Sequence, residues 1–319
     1  MTTGHGRPLK IGVFLPHFDD MMAGATPRWR DIVETAQRAE DLGFDSVWVA
    51  DHLLFDLARP EDGLVGAWEC WSLLAALAAA TTRVSLGSLV TCTSFRQPPL
   101  LAKMAETIDE ISGGRLILGL GAGWNDREYR AFGYPTDRRV SRFAEALTII
   151  HTLLHDGQVD VTGQYYQVRD CVLRPRGPRP HGPPLMVGSV GPRMMRLAAQ
   201  YADSWNAWAD TFNNRPDGLS ELHAAVDAAC AEVGRDPQTL ERTATVLVEL
   251  PGAVAYPAGY PGWDPGEGGA TLAADPDALA ASLRAFARAG VTHLQVWVNP
   301  CTRAGIDALA PVLDILDHA

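Results

Sequence analysis

No apolar run in the chain reaches the roughly 18 residues that a membrane-spanning helix requires, and positive charge is in the minority. The 27 lysines and arginines are outnumbered by 38 aspartates and glutamates, a formal net charge of -11. That balance argues against nonspecific binding to nucleic acid or to an anionic membrane. Cysteine is scarce: Cys70, Cys92, Cys171, Cys230 and Cys301 are odd in number and never fall in CxxC or CxxxC spacing. Neither a disulfide framework nor a zinc site is indicated, and a reducing cytoplasm is the expected setting. Nucleophile elbow, phosphate-loop lysine motif and His/Glu metal spacing are all missing, which removes several hydrolase and nucleotidase chemistries and leaves no metal centre to expect. Met1–Lys10 is short and polar, unlike an export signal. Small-molecule chemistry is untouched by these exclusions.

What is present is a repeating unit. Short β-rich runs alternate with helical patterns, beginning with the strand Lys10–Leu15 and a helix from Trp29 to Leu42, where apolar residues recur at three- and four-residue steps and Gly43 supplies the stop. Strands at Ser46–Ala50, Val84–Val90, Leu116–Leu120, Leu185–Val187, Ser204–Trp208, Arg242–Leu250 and His293–Val298 follow. They alternate with helices at Trp68–Ala80, Pro99–Ile111, Ser141–Leu154, Pro192–Tyr201, Leu219–Val233, Asp277–Ala289 and Ile306–Leu316. Nearly all the strands are continuous apolar runs, as in a parallel sheet buried on both faces. Eight of each predict a single (β/α)8 TIM barrel over residues 1–319, with an open doubly wound sheet as the alternative. The long strand-to-helix loops put the elaborated face, and so the site, at the C-terminal ends of the strands. Residues 157–184 read as an insertion, a hairpin turning at Thr162-Gly163 and a Pro/Arg-rich link, able to fold over the barrel mouth. Residues 251–274, rich in Gly, Pro and aromatics, read as a mobile lid or partner-contact loop.

Four stretches carry candidate chemistry. Gly121-Ala122-Gly123, followed by Trp124 and Asn125, closes the fourth strand and lets backbone approach a ligand; a G-x-G-x-x-G frame fails on Trp124 or Asp126, so it is no dinucleotide fingerprint. Gly188-Ser189-Val190-Gly191 precedes Pro192 and a helix, offering backbone N–H groups, a hydroxyl and the helix dipole to a phosphate. Either stretch would also serve as a plain tight turn. Asp51-His52 ends the second strand, where an imidazole can donate to a ring or move a proton near neutral pH. His17 and Asn299, on the same face, are second-rank substrate contacts, more readily explained as loop residues satisfying their own backbone. Trp124, Trp205, Trp208 and Trp297 gather near strand ends, as a pocket for a flat ring would need.

Together these motifs resemble the luciferase-like oxidoreductase superfamily over nearly the whole chain. The matching text is KIGVFLP from Lys10, AEDLGFDSVWVADH from Ala39, TSFRQPPLLAKMAETIDEISGGRLILGLGAGWNDREYRAFG from Thr93, and PPLMVGSVGPRMMRLAAQYADSWN from Pro183. The resemblance implies a flavin or deazaflavin barrel. It makes Leu89-Val90-Thr91 a bulge, often with a non-prolyl cis peptide, that backs the tricyclic ring. Gly121-Ala122-Gly123 then meets the ring and ribityl edge, and Gly188-Ser189-Val190-Gly191 cradles the phosphate. Asp51-His52 resembles the pair that contacts the deazaflavin in enzymes using coenzyme F420. Asp56 and Trp124 stand where sugar-phosphate dehydrogenases of that branch carry Trp and a catalytic Glu, which tells against sugar phosphates. Arg174, Arg176 and Arg179 are candidates for the acidic tail of the cofactor.

The expectation is F420-dependent hydride transfer to or from an organic small molecule, with His52 catalytic. A two-component monooxygenase using reduced FMN from a separate reductase is the alternative, and a cofactor-free, non-catalytic barrel the third reading. A homodimer is implied by the resemblance alone.

Overall fold

Eight parallel strands close on themselves: β1 (Lys10–Phe14), β2 (Ser46–Val49), β3 (Ser85–Ser88), β4 (Leu116–Gly121), β5 (Leu185–Gly188), β6 (Ser204–Ala207), β7 (Glu241–Glu249) and β8 (His293–Asn299). Each pairs with its sequence neighbours, and β8 returns to β1 in the register Lys10↔His293, so no edge remains in the barrel. The open-sheet alternative is thereby excluded. This is a computed structural model and describes residues 6–57, 63–256 and 260–318. Among them no helix is long and apolar enough to cross a membrane.

The helices follow the sequence pattern closely: α1 (Trp29–Asp41), α2 (Cys70–Ala80), α3 (Pro98–Ser112), α4 (Asp126–Phe132), α5 (Arg139–Asp156), α6 (Pro192–Tyr201), α7 (Leu219–Glu232), α8 (Pro276–Arg288), α9 (Arg303–Asp307) and α10 (Ala310–Asp317). Local chemistry sets several departures. The Glu69 carboxylate accepts from the amides of Trp71 and Ser72, so α2 starts after Glu69 instead of at Trp68. The single helix expected over 306–316 is two, because Pro311 has no N–H to continue α9. The loop from Gly121 to Val140 contains α4, a short helix that the apolar periodicity does not reveal. The loop after β2 holds a small hairpin, Leu54–Asp56 against Leu64–Gly66.

Trp48, with no exposed surface, fills part of the barrel interior. A Cβ at Gly87 would lie 2.1 Å from its ring, so only glycine fits opposite it. Its indole N–H donates to Ser46 Oγ (2.7 Å), which in turn contacts His293 Nε2 (2.7 Å), giving the buried polar atoms partners.

The insertion at 157–184 contributes no residue to the wall of the cavity at the barrel mouth. It leaves the end of α5, and its hairpin (Gln158–Thr162, Gln167–Val172) runs back along α5, so that its tip reaches Arg142 and Glu145 near the start of that helix. Glu145 of α5 accepts from the amides of Gln164, Tyr165 and Tyr166. That anchor widens the expected turn at Thr162-Gly163 into a loop over residues 163–166. The link then runs beneath the barrel, where Arg176 pairs with Glu106 (3.1 Å) and Arg179 with Asp109. Arg179 also binds the carbonyl of Leu116, at the N-terminal end of β4. These arginines brace the end opposite the site, so they are not placed to meet a cofactor tail.

Of the loop at 251–274, residues 257–259 lie outside the described residues. The rest is more regular than expected: Leu272–Ala273 pairs with β7, and Tyr256, Tyr260 and Trp263 pack against Trp297.

Candidate active site

A cavity of about 730 Å³ opens at the C-terminal ends of the strands, within the range of roughly 300–1,000 Å³ usual for cofactor and ligand sites. The ends of β2 to β5 build one half of its wall: Asp51 and His52, Leu89 and Val90, Gly121 to Trp124, and Gly188 to Val190. The other half comes from β6, β8 and the loop after β7, with Trp208, Asp210, Tyr260, Trp263, Asp264 and Trp297.

His52 is packed among aromatic rings, 4.4 Å from Phe55 and 5.7 Å from Trp124 between centroids. Its Nδ1 lies 3.1 Å from Oε2 of Glu128, a carboxylate that is 1% exposed and that also accepts from the amides of Leu53 and Leu54. With Nδ1 engaged, Nε2 is the nitrogen left for the cavity. Glu128 escapes sequence reasoning because it sits on α4, 76 residues away. Its only signal is its place in the stretch GWNDREYRAFG, where a helix after a glycine turn carries an acidic residue on its buried side.

Asp51 is buried and bound in bidentate fashion by Arg96, 2.6 Å from Nη1 and 3.1 Å from Nη2, and it accepts the Cys92 amide at 3.1 Å. Burial pushes its carboxyl upward while the Arg96 guanidinium opposes that. Its oxygens therefore face the third-strand bulge and its arginine, and Asp51 ties β2 to the segment after β3. Arg96, in the stretch TSFRQPP, also escaped the sequence reading.

The Leu89–Val90 peptide is cis, as the resemblance implies for this bulge. Val90 stands between the two glycine loops: a Cβ on Gly121 would lie 2.6 Å from Val90 Cγ2, and one on Gly188 2.9 Å from Val90 Cγ1. The glycines are thus needed for close approach of three strand ends. Trp205, wholly buried and outside the cavity wall, donates its indole N–H to the Ser189 carbonyl (2.7 Å) and holds the β5 loop over the mouth.

The chain belongs to the luciferase-like monooxygenase family. The family model matches residues 9–250, a span that includes seven of the eight barrel strands and both glycine loops. Among curated relatives, the F420-dependent hydroxymycolic acid dehydrogenase of Mycobacterium tuberculosis is 33% identical over 68% of this chain and 58% of its own. The pyrimidine monooxygenase RutA of Rhizobium rhizogenes is 32% identical over 72% of this chain and 64% of its own. The chain therefore spans about three-fifths of the length of these relatives. An F420-dependent secondary alcohol dehydrogenase, solved with an F420-acetone adduct, superposes with a TM-score of 0.78 at 23% identity, covering 97% of this chain and 99% of that one. The last likeness shows the shared barrel.

Within this luciferase-like barrel the remaining expected residues divide. Trp124 and Trp208 line the cavity, and the Trp208 indole donates to the Gly262 carbonyl (2.9 Å). Thr91, Asn125 and Gly191 do not line it. Thr91 is buried behind the bulge, Asn125 caps α4 and donates to the Leu54 carbonyl (2.8 Å), and Gly191 caps α6. His17 and Asn299 are also outside the wall. His17 donates from Nδ1 to the Leu15 carbonyl (2.8 Å) and accepts the Ala50 amide at Nε2 (3.1 Å); Asn299 donates to the Val254 carbonyl (3.0 Å). Both are backbone struts, because a loop leaving a buried strand end must find partners for its polar groups.

Proposed function

We propose that the protein binds coenzyme F420 and moves a hydride between it and a carbonyl or alcohol group of a small organic molecule. The observation that carries this reading is His52, fixed at the cavity wall through Nδ1 by the buried Glu128. The residues present fit a ring cofactor: Leu89 and Val90 line the wall between Gly121 and Gly188, which have no side chains to obstruct a ring, and Gly188-Ser189-Val190 precedes α6, where an anion is favoured. When bound, a deazaflavin supplies a two-electron hydride donor or acceptor. The chain does the rest. Leu89 and Val90 support the ring, Ser189 and its neighbours hold the phosphate, and His52 Nε2 gives a proton to, or takes one from, the substrate oxygen while Glu128 holds its tautomer. The aromatic half of the cavity excludes water around the substrate. The F420-dependent relative supports this cofactor, whereas its substrate does not carry over.

Titration of the purified protein with F420 and, separately, with oxidised and reduced FMN tests the proposal. Saturable F420 binding is expected. Binding of reduced FMN alone, with oxygen consumption, would overturn it and favour a second reading, a two-component monooxygenase, which the RutA relative supports. Product formation that requires oxygen is the mark of that second reading.

A further inference from the structure

Trp124 is 62% exposed, more than any other tryptophan of the chain, and it lines the cavity beside His52. Its ring neighbours are His52 at 5.7 Å between centroids, inclined at 69°, and Phe55 at 5.9 Å, inclined at 40°. Neither lies flat against the indole. With most of its surface uncovered and no ring stacked on it among the described residues, the indole keeps a face open at the mouth of the site.

The backbone that carries this ring is pinned from both sides. Gly123 holds a φ of +73°, and a Cβ there would lie 2.3 Å from the Tyr129 hydroxyl and 2.6 Å from Cys92 Sγ, so only glycine fits before Trp124. Arg139 donates to the Trp124 carbonyl at 3.0 Å while lying over the Tyr129 ring, 4.6 Å from its centroid. After Trp124, the Asn125 side chain caps α4 and donates to the Leu54 carbonyl at 2.8 Å. A large apolar ring is therefore held in water at a fixed place in the chain, next to the imidazole of His52. A ligand that covers the ring recovers the free energy of its exposure, and a flat ring covers an indole face best.

We infer that Trp124 is a specificity-determining residue and that the substrate is an aromatic alcohol or ketone, its flat ring lying on the Trp124 indole and its reacting carbon next to that ring. The closeness of His52 and Trp124 sets the second part: a group that rests on the indole carries its neighbouring oxygen past the imidazole. This rests on the reading of the cavity as the substrate pocket of an oxidoreductase with His52 as proton carrier, and it adds the shape of the substrate to that reading.

Two matched pairs of probes differ only in whether the ring is flat or puckered: 1-phenylethanol with 1-cyclohexylethanol, and acetophenone with cyclohexyl methyl ketone. Calorimetric titration of each into the full-length protein, with and without saturating oxidised F420, is expected to show the flat member of each pair binding about tenfold tighter. Trp124→Leu keeps an apolar side chain but removes the flat face, and it is expected to bring each pair to equal affinity. Trp124→Phe keeps a smaller flat face and is expected to retain a preference of about threefold. F420 affinity of both variants is expected to stay within about twofold of the parent, and far-UV circular dichroism checks that each keeps the fold. Equal binding of flat and puckered probes by the parent, no detectable binding of the flat ones, or a preference that survives in Trp124→Leu overturns the inference. So does a loss in Trp124→Leu that is confined to F420, which would put the indole on the cofactor, or one confined to the oligomeric state, which would make Trp124 a subunit contact. The F420 titration of the parent separates the two readings: cofactor binding with no ring preference sinks only this inference, and a ring preference that Trp124→Leu abolishes, without F420 binding, sinks only the cofactor assignment.

Discussion

His52 Nδ1 lies 3.1 Å and 3.2 Å from the two carboxylate oxygens of Glu128, so a single buried acid on α4 sets the orientation of the ring that β2 presents to the cavity. The same carboxylate receives the amides of Leu53 and Leu54, which makes it the anchor of the whole turn after β2. Removing it by Glu128→Ala leaves two amides and an imidazole nitrogen to find other partners and is expected to cost about 2–4 kcal/mol, read from denaturant unfolding. Glu128→Gln retains an acceptor oxygen and is expected to cost less than half of that. If His52 is the proton carrier, turnover of Glu128→Gln falls by about tenfold or more while cofactor affinity moves little. An unchanged turnover number would remove Glu128 from the chemistry.

The close approach of Gly121 and Gly188 to Val90 makes a second prediction. Gly121→Ala puts a methyl group 2.6 Å from Val90 Cγ2, an overlap that is expected to destabilise the fold by about 1–3 kcal/mol. It should also weaken ring binding, because relief of the overlap displaces the bulge. Val90→Ala removes the colliding atom, so the double variant is expected to regain most of the lost stability. Failure of that rescue in thermal unfolding would mean that Gly121 is required for another reason.

The barrel was legible because each element carries its own local signal: continuous apolar strands, three-and-four helical spacing, and glycine or proline at the stops. Gly121, Gly188 and His52 were legible for a similar reason, since their positions at strand ends follow from the strand boundaries. Glu128 and Arg96 were not. Each acts on a residue 45 or more positions away, His52 and Asp51 respectively, and such pairings depend on closure of the barrel, which no local pattern encodes. His17 and Asn299 illustrate the converse. Their position on the right face is correct, yet the loop backbone takes both ring nitrogens of His17 and the side-chain amide N–H of Asn299. The hairpin at 158–172 shows how an insertion's destination stays open until its anchor, Glu145, is known.

His17 gives the protein an acid sensitivity of predictable sign. Burial lowers it from the ordinary 6.5 to about 4, and both ring nitrogens are engaged by backbone. Below pH 6.5 the unfolded chain takes up a proton at this site that the folded chain refuses until about pH 4, so stability is lost as pH falls through that window. The full loss is about 3 kcal/mol from this residue. His293, lowered to about 3 by burial, acts in the same direction. His17→Gln is expected to be less stable at pH 7 but to show a shallower decline, by about 1 kcal/mol per pH unit between pH 6 and pH 4.5. Parallel pH profiles for the two proteins would show that His17 is protonated in the folded state.

Arg96 binds both oxygens of Asp51, contacts Glu69, and lies over the Trp71 ring at 5.9 Å. It is the charge that lets a carboxylate sit buried at the wall of the cavity. Arg96→Leu leaves Asp51 with the Cys92 amide as its remaining partner in this network, and an unpaired buried charge is expected to cost about 3–5 kcal/mol near neutral pH. Without the guanidinium, burial and the negative charge of Glu69 raise the Asp51 carboxyl further. A carboxyl raised in the folded state stabilises at low pH and loses that contribution as pH rises through its folded value, so Arg96→Leu should recover stability relative to the parent on mild acidification. Adding Asp51→Asn should recover it at every pH, since the amide needs no counter-charge. Denaturant unfolding of the parent, both single variants and the double variant across pH 5 to 8 measures the coupling directly. A double variant no more stable than Arg96→Leu would show that Arg96 acts through Trp71 and Glu69, and not through the Asp51 charge.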